Sequence, residues 1–117
     1  MSLVTILTLK KNHEFRRLYA KGRSAVMPTL VLYARRAPQG RGRVGFTVTT
    51  RLGNAVTRNR VRRRLREIYR LRREELRGDT DLVVVARSRS VGAAYAQLER
   101  DFLHGCRKLS LLRGETP

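Results

Sequence analysis

Cysteine is nearly absent. Cys106 stands alone, so the chain closes no internal disulfide and holds no paired-cysteine metal site, and a reducing compartment fits. Histidine occurs only at His13 and His104, far apart and without a carboxylate motif beside either, which argues against a protein-held zinc and a Ser-His-Asp triad. Long apolar runs are missing too, since none approaches the roughly 18–20 residues of a membrane span. The apolar start, Met1 to Leu9, lacks the basic lead and small-residue cleavage site of a secretory signal. Lysine is confined to Lys10, Lys11, Lys21 and Lys108. Negative charge is short above all: 9 Asp+Glu face 27 Lys+Arg, a net charge of +18 on 117 residues.

A charge of that size repels itself and calls for a polyanion that neutralises it. Phosphate polymers come first and acidic membrane surfaces second, whereas an enzyme for small neutral substrates is improbable. The positive charge is mostly arginine, which contacts phosphate bidentately and stacks on bases as an ammonium cannot. With 41% hydrophobic residues the chain can bury one modest core, so it is expected to fold as a single domain.

Asn12 is expected to cap a short helix with Phe15, Leu18 and Tyr19 on one face and Gly22 stopping it. Arg23 to Met27 and Leu30 to Ala34 read as strands, Pro38 to Gly42 as a turn, and Val44 to Thr50 as a third strand. Asn54 then caps a helix from Ala55 to about Arg77, with Val61, Leu65, Ile68 and Leu76 on its buried stripe. Leu82 to Ala86 reads as a strand buried on both faces. A last helix is expected from about Gly92 to Leu112, with a stripe of Tyr95, Leu98, Phe102, Cys106, Leu109 and Leu112. The order α-β-β-β-α-β-α makes an α+β fold, a two-layer sandwich of a sheet with helices against it.

The strongest chemical signal is Arg58 to Arg66. At about 100° per residue, Asn59, Arg62, Arg63, Arg66, Arg70 and Arg73 gather opposite the apolar stripe, with Arg58 and Arg60 on the flanks. A solvated helix face would need acids at i+4, and Glu67, Glu74 and Glu75 are too few. Phosphate binding is the better reading. The second signal is aromatic. Phe46 reads as core, while Phe15, Tyr19 and Tyr33 sit among cations, where aromatics can stack unpaired bases. Spacing alone leaves core packing open for these three. Asp79 and Asp81 flank a turn, where they cap or solvate it.

The block Arg43-Val44-Gly45-Phe46-Thr47-Val48, followed by Gly53-Asn54-Ala55-Val56-Thr57-Arg58-Asn59-Arg60-Val61-Arg62-Arg63, resembles the signature of the protein subunit of bacterial ribonuclease P. The lead-in Leu9-Lys10-Lys11-Asn12 with Phe15, Lys21-Gly22, Val31-Leu32-Tyr33, and Asp81 to Arg87 match in order and spacing. The resemblance spans about Leu9 to Leu112. It implies a four-stranded sheet with a left-handed β-α-β crossover, against the usual hand. It also implies a protein that assists a catalytic RNA in hydrolysing the bond between the 5′ leader and mature tRNA, leaving a 5′-phosphate. Arg58, Asn59, Arg60, Arg62 and Arg63 match the positions that face the catalytic RNA, and Arg66 extends them by a turn. Phe15, Tyr19 and Tyr33 match a leader-binding cleft between a sheet face and the first two helices. Arg51 matches a basic position beside it. Thr50-Arg51 stands where the family often has two basic residues, so one phosphate contact is missing or comes from Arg43 or Arg89.

The resemblance implies no catalytic residue on this chain, and Mg²⁺ held mainly by the RNA. The implied partners are ribonuclease P RNA and precursor tRNA, with no membrane and no protein partner, in the cytoplasm. Residues 9–112 are expected to form the RNA-binding domain, after an unassigned extension (1–8) and before a loose tail (113–117). Three rivals share the composition. A structural RNA-binding protein, such as a ribosomal protein, is opposed only by the motif. A DNA-binding protein lacks a helix-turn-helix pair. A membrane-surface protein would need a free apolar helix face.

Overall fold

The fold was taken from a computed structural model, which describes residues 8–38 and 40–114. Its elements are α1 (Asn12–Lys21), β1 (Arg23–Val26), β2 (Leu30–Arg36), β3 (Val44–Thr47), α2 (Ala55–Arg72), β4 (Thr80–Ala86) and α3 (Tyr95–Lys108), with short 3₁₀ turns at Thr50–Leu52, Arg73–Glu75 and Ser88–Ser90. The order is the expected one. The strands lie β1-β2-β4-β3, antiparallel except for β3 beside β4. Parallel neighbours need a crossover, and α2 supplies it.

Strand alternation divides the side chains between two faces. Ala25, Leu30, Leu32, Ala34, Val44, Leu82 and Val84 point into the main core, where they meet Val61, Leu65 and Ile68 of α2 and Leu98, Phe102 and Cys106 of α3. A Cβ on Gly105 would stand 2.6 Å from Leu32 Cδ1, so α3 lies close on the sheet. Phe46 belongs to this face, edge-on to Tyr69 at 6.2 Å, as its core reading requires. The opposite face is only partly covered. There α1 packs Leu18 against Val83 and Leu9, with Phe15, Tyr33 and Val85 around them.

Helix ends differ most from expectation. Asn12 is the first residue of α1 and not its cap; the Glu14 carboxylate instead accepts from the backbone N–H of Lys10 and Lys11. Gly22 ends α1 as expected, but not in the left-handed region, since its φ is −77°. A Cβ there would stand 2.5 Å from the Leu18 carbonyl oxygen, so a close approach is what demands glycine. Asn54 does cap α2, accepting from Thr57 N–H at 2.9 Å. The helix stops at Arg72, and Leu76 reaches the core as an extended residue bridged to Leu112. α3 is shorter at both ends, and after it Ser110 takes φ 57° and Leu111 is buried. In both places pairing between distant segments overrides helical periodicity. β3 ends at Thr47, three residues early.

Thr8 bridges Val44, and Arg113 N–H donates to the Glu75 carbonyl, so residues on either side of 9–112 are held by the fold. Residues 1–7, Gln39 of the expected turn, and residues 115–117 lie outside the described residues.

Candidate nucleic-acid interface

The arginines of α2 divide into two groups. In its C-terminal half arginines are paired: Arg70 with Glu67, and Arg72 with Glu75 of the following turn and Glu99 of α3. In its N-terminal half, among the described residues, no carboxylate lies within ion-pair distance of Arg58, Arg60, Arg62, Arg63 or Arg66. Asn59, Arg60, Arg63 and Arg66 are exposed; Arg58 and Arg62 are half-buried. Arg62 donates to Asn59 Oδ1 at 3.1 Å, and Arg58 Nε to the Gly53 carbonyl at 3.2 Å. Arg64, outside this set, reaches the Ala93 carbonyl ahead of α3. Cations crowded at a helix N-terminus oppose the macrodipole and repel at i, i+4. An anion laid along them relieves both penalties and finds the positive helix end as well.

A second surface lies across the sheet. Tyr19 and Tyr33 meet edge to face at 5.0 Å, and the Tyr19 hydroxyl shares a 2.7 Å hydrogen bond with Thr47 Oγ1. Tyr19 is 38% exposed. Phe15 lies on Gly45, where a Cβ would stand 2.5 Å from its ring, so glycine lets the ring settle on the strand. Phe15, Tyr19 and Tyr33 are thus brought together, as the resemblance implied. Phe15 also packs against the small core beneath α1, and so combines both readings of it. Val26, 59% exposed, extends this face, as do half-buried Val31 and Val85 by cross-strand register with Val26 and Thr47. Nothing in the sequence assigns these three to the groove; only the strand register brings them together. The groove differs in one wall from the one implied. The body of α2 packs on the other face through Val61, Leu65 and Ile68, so of the first two helices only α1 borders it.

Arg51 is exposed on the turn Thr50–Leu52. Of its two possible substitutes, Arg89 is exposed, but Arg43 is engaged elsewhere. Arg43 pairs with Glu14 of α1 and, at 3.3 Å, with Asp81 of β4, whose Oδ1 accepts the Arg43 N–H at 2.9 Å. Asp81 is 2% exposed, so it neither caps nor solvates a turn; it anchors an ion pair beneath α1. The hydrogen bonds that Arg43 donates to Asp81, and then to Glu14, favour its charged form, against desolvation that works the other way.

The backbone N–H of Lys11, then that of Lys10 and the Arg43 guanidinium, lower the Glu14 pKa from 4.5 to about 2, against an opposing effect of desolvation. A depressed carboxylate stabilises the fold fully above its unfolded pKa, and the gain fades as pH falls from about 4.5 towards 2. Glu14→Gln should therefore cost about 1.5–3 kcal/mol at neutral pH, the range for hydrogen bonds to a charged group. Urea unfolding should show the gap to the wild type closing below pH 4.5. A gap constant down to pH 2.5 would contradict this.

Comparison with known proteins bears on these surfaces. Residues 5–110 match the Ribonuclease P family. The chain is 41% identical over 108 residues to the ribonuclease P protein component of Natranaerobius thermophilus, covering 92% of this chain and 94% of that one. With that of Gluconacetobacter diazotrophicus it shares 43% over 109 residues, with the same coverage. Among solved structures, the RNase P protein of Staphylococcus aureus superposes with a TM-score of 0.83 at 27% identity, covering 93% of this chain and all of that one.

Proposed function

This chain belongs to the ribonuclease P protein family, and we propose that its two faces divide the work of that ribonucleoprotein between catalytic RNA and substrate. It is the protein component of an endoribonuclease that removes the 5′ leader from precursor tRNA. Arg58, Asn59, Arg60, Arg62, Arg63 and Arg66 dock the catalytic RNA. Phe15, Tyr19, Tyr33 and Arg51 receive the unpaired leader, whose bases stack on the rings while its phosphates meet the cations. Arg89, and not the engaged Arg43, is the available stand-in for a second basic residue beside Arg51.

The observation that carries this reading is the run of arginines at the N-terminal half of α2 with no carboxylate among them. Phosphodiester hydrolysis of this kind uses Mg²⁺ to activate water and stabilise the transition-state oxygens. The described residues do not fit such an ion: no group of three or more His, Cys, Asp or Glu gathers, and the Glu14–Asp81 pair is held by Arg43. The metal is therefore assigned to the RNA. The protein's share is to neutralise charge and position substrate. Among the described residues no helix is long and apolar enough to cross a membrane, and a cytoplasmic place is proposed, where precursor tRNA is made.

A photo-crosslinking group placed at Arg63 and, separately, at Val26 tests the division in the assembled complex with precursor tRNA. The first should label catalytic RNA and the second the leader. Labelling of catalytic RNA from both positions would refute the division.

A further inference from the structure

α1 has a second flank. Phe15 and Tyr19 face the aromatic groove, while His13 and Arg17, about half a helical turn round, border a separate pocket of about 200 Å³. Its other walls are Arg35 at the end of β2, Arg41 of the β2–β3 turn, and the Glu14–Arg43–Asp81 cluster. We propose that this pocket holds a phosphate group of an RNA strand, at a site distinct from both the α2 arginines and the aromatic groove. The proposal rests on the RNA-binding reading but not on which RNA each other surface takes.

Both carboxylates on the pocket wall are held by Arg43, which fixes that wall; the cluster keeps one net negative charge, which the three remaining arginines outweigh. Arg17, Arg35 and Arg41 have no ion pair or hydrogen-bonded acceptor among the described side chains. Three guanidinium groups around one cavity repel unless an anion lies between them. Planar forks suit phosphate oxygens, which they can bind bidentately. At about 200 Å³ the pocket has room for a phosphate group with part of its hydration. No Phe, Tyr or Trp lines it, and its guanidinium groups suit the phosphates of a backbone.

Arg17 and Arg41 are exposed, so Arg17→Gln with Arg41→Gln should leave the melting temperature unchanged. Two equilibria are measured against salt: protein with catalytic RNA, and holoenzyme with precursor tRNA. One of them should lose roughly 0.7–0.9 from its salt slope per lost phosphate contact. A change in the first places the phosphate in the catalytic RNA, and a change in the second places it in the precursor. Arg100→Gln with Arg107→Gln, exposed on α3, should change neither. Unchanged slopes, or an equal change from the α3 pair, would overturn the proposal. A crosslinker at the rim residue Pro38 reads the same question with every arginine in place, should the double variant unfold. It should label RNA in the assembled complex. A holoenzyme that cleaves normally with no label from Pro38 would sink the pocket while leaving the function intact.

Discussion

Replacing Arg58, Arg60, Arg62 and Arg63 together with Ala should weaken association with the catalytic RNA by on the order of 10²–10³-fold at physiological salt. Four lost phosphate contacts should also lower the salt slope by about 3. The fold should hardly notice. None of these side chains belongs to the buried stripe, and their mutual repulsion at the wrong end of the helix dipole goes with them. The melting temperature should stay level or rise slightly. Arg58 is the exception within the set, because its Nε donates to the Gly53 carbonyl before the helix, so the triple variant that keeps Arg58 isolates the RNA effect. Leu65→Ala is the opposite control: a fully buried leucine lost from the stripe should cost about 2–5 kcal/mol of stability and leave the salt slope of the folded fraction alone. An unchanged slope with a lower melting temperature in the arginine variant would make this helix face structural.

The second large effect concerns the leader. Tyr33→Ala should weaken holoenzyme binding to precursor tRNA about tenfold, since stacking is worth roughly 1–3 kcal/mol per base and 1.4 kcal/mol is a factor of ten. Mature tRNA lacks the leader, so its affinity should barely move. Tyr19→Ala should act likewise, because the two rings are in contact. Phe15→Ala and Tyr33→Ala should also lose some stability, because both rings pack on the small core beneath α1, and Phe15 the more, since it covers Gly45 as well. Shortening the leader to one nucleotide should erase the difference between wild type and Tyr33→Ala. Equal losses for precursor and mature tRNA would mean that the rings only hold α1 to the sheet.

Local chemistry made much of this legible in the sequence. Asn54 announces the start of α2, Gly22 the end of α1, and the alternation of Leu32 with Tyr33 puts one residue in the core and the other on the groove. Helical periodicity sets the α2 arginines apart from the apolar stripe, but it also gathers Arg70, which pairs with Glu67, and Arg73, which lies past the helix end; the family resemblance singles out Arg58, Arg60, Arg62 and Arg63. What stayed hidden depends on contacts between distant segments. Arg43, Glu14 and Asp81 are 29 and 38 positions apart, and nothing near any of them signals that they meet. Without that cluster Arg43 resembles a free phosphate ligand and Asp81 a turn residue. The apolar floor of the groove, Val26 with Val31 and Val85, exists only in the register of three strands. Leu76 and Leu112 read as stripe residues because their apolar character signals burial, whereas nothing local signals the extended bridge between them.

The most direct test of an accessory role is cleavage of precursor tRNA at low Mg²⁺ by three preparations: nuclease-treated protein alone, the catalytic RNA alone, and the two together, with the 5′ end of the product mapped. Only the combination should cut efficiently, releasing the leader and leaving a 5′-phosphate on the mature end. Cleavage by the RNA-free protein, or no gain when it is added to the RNA, would contradict the account.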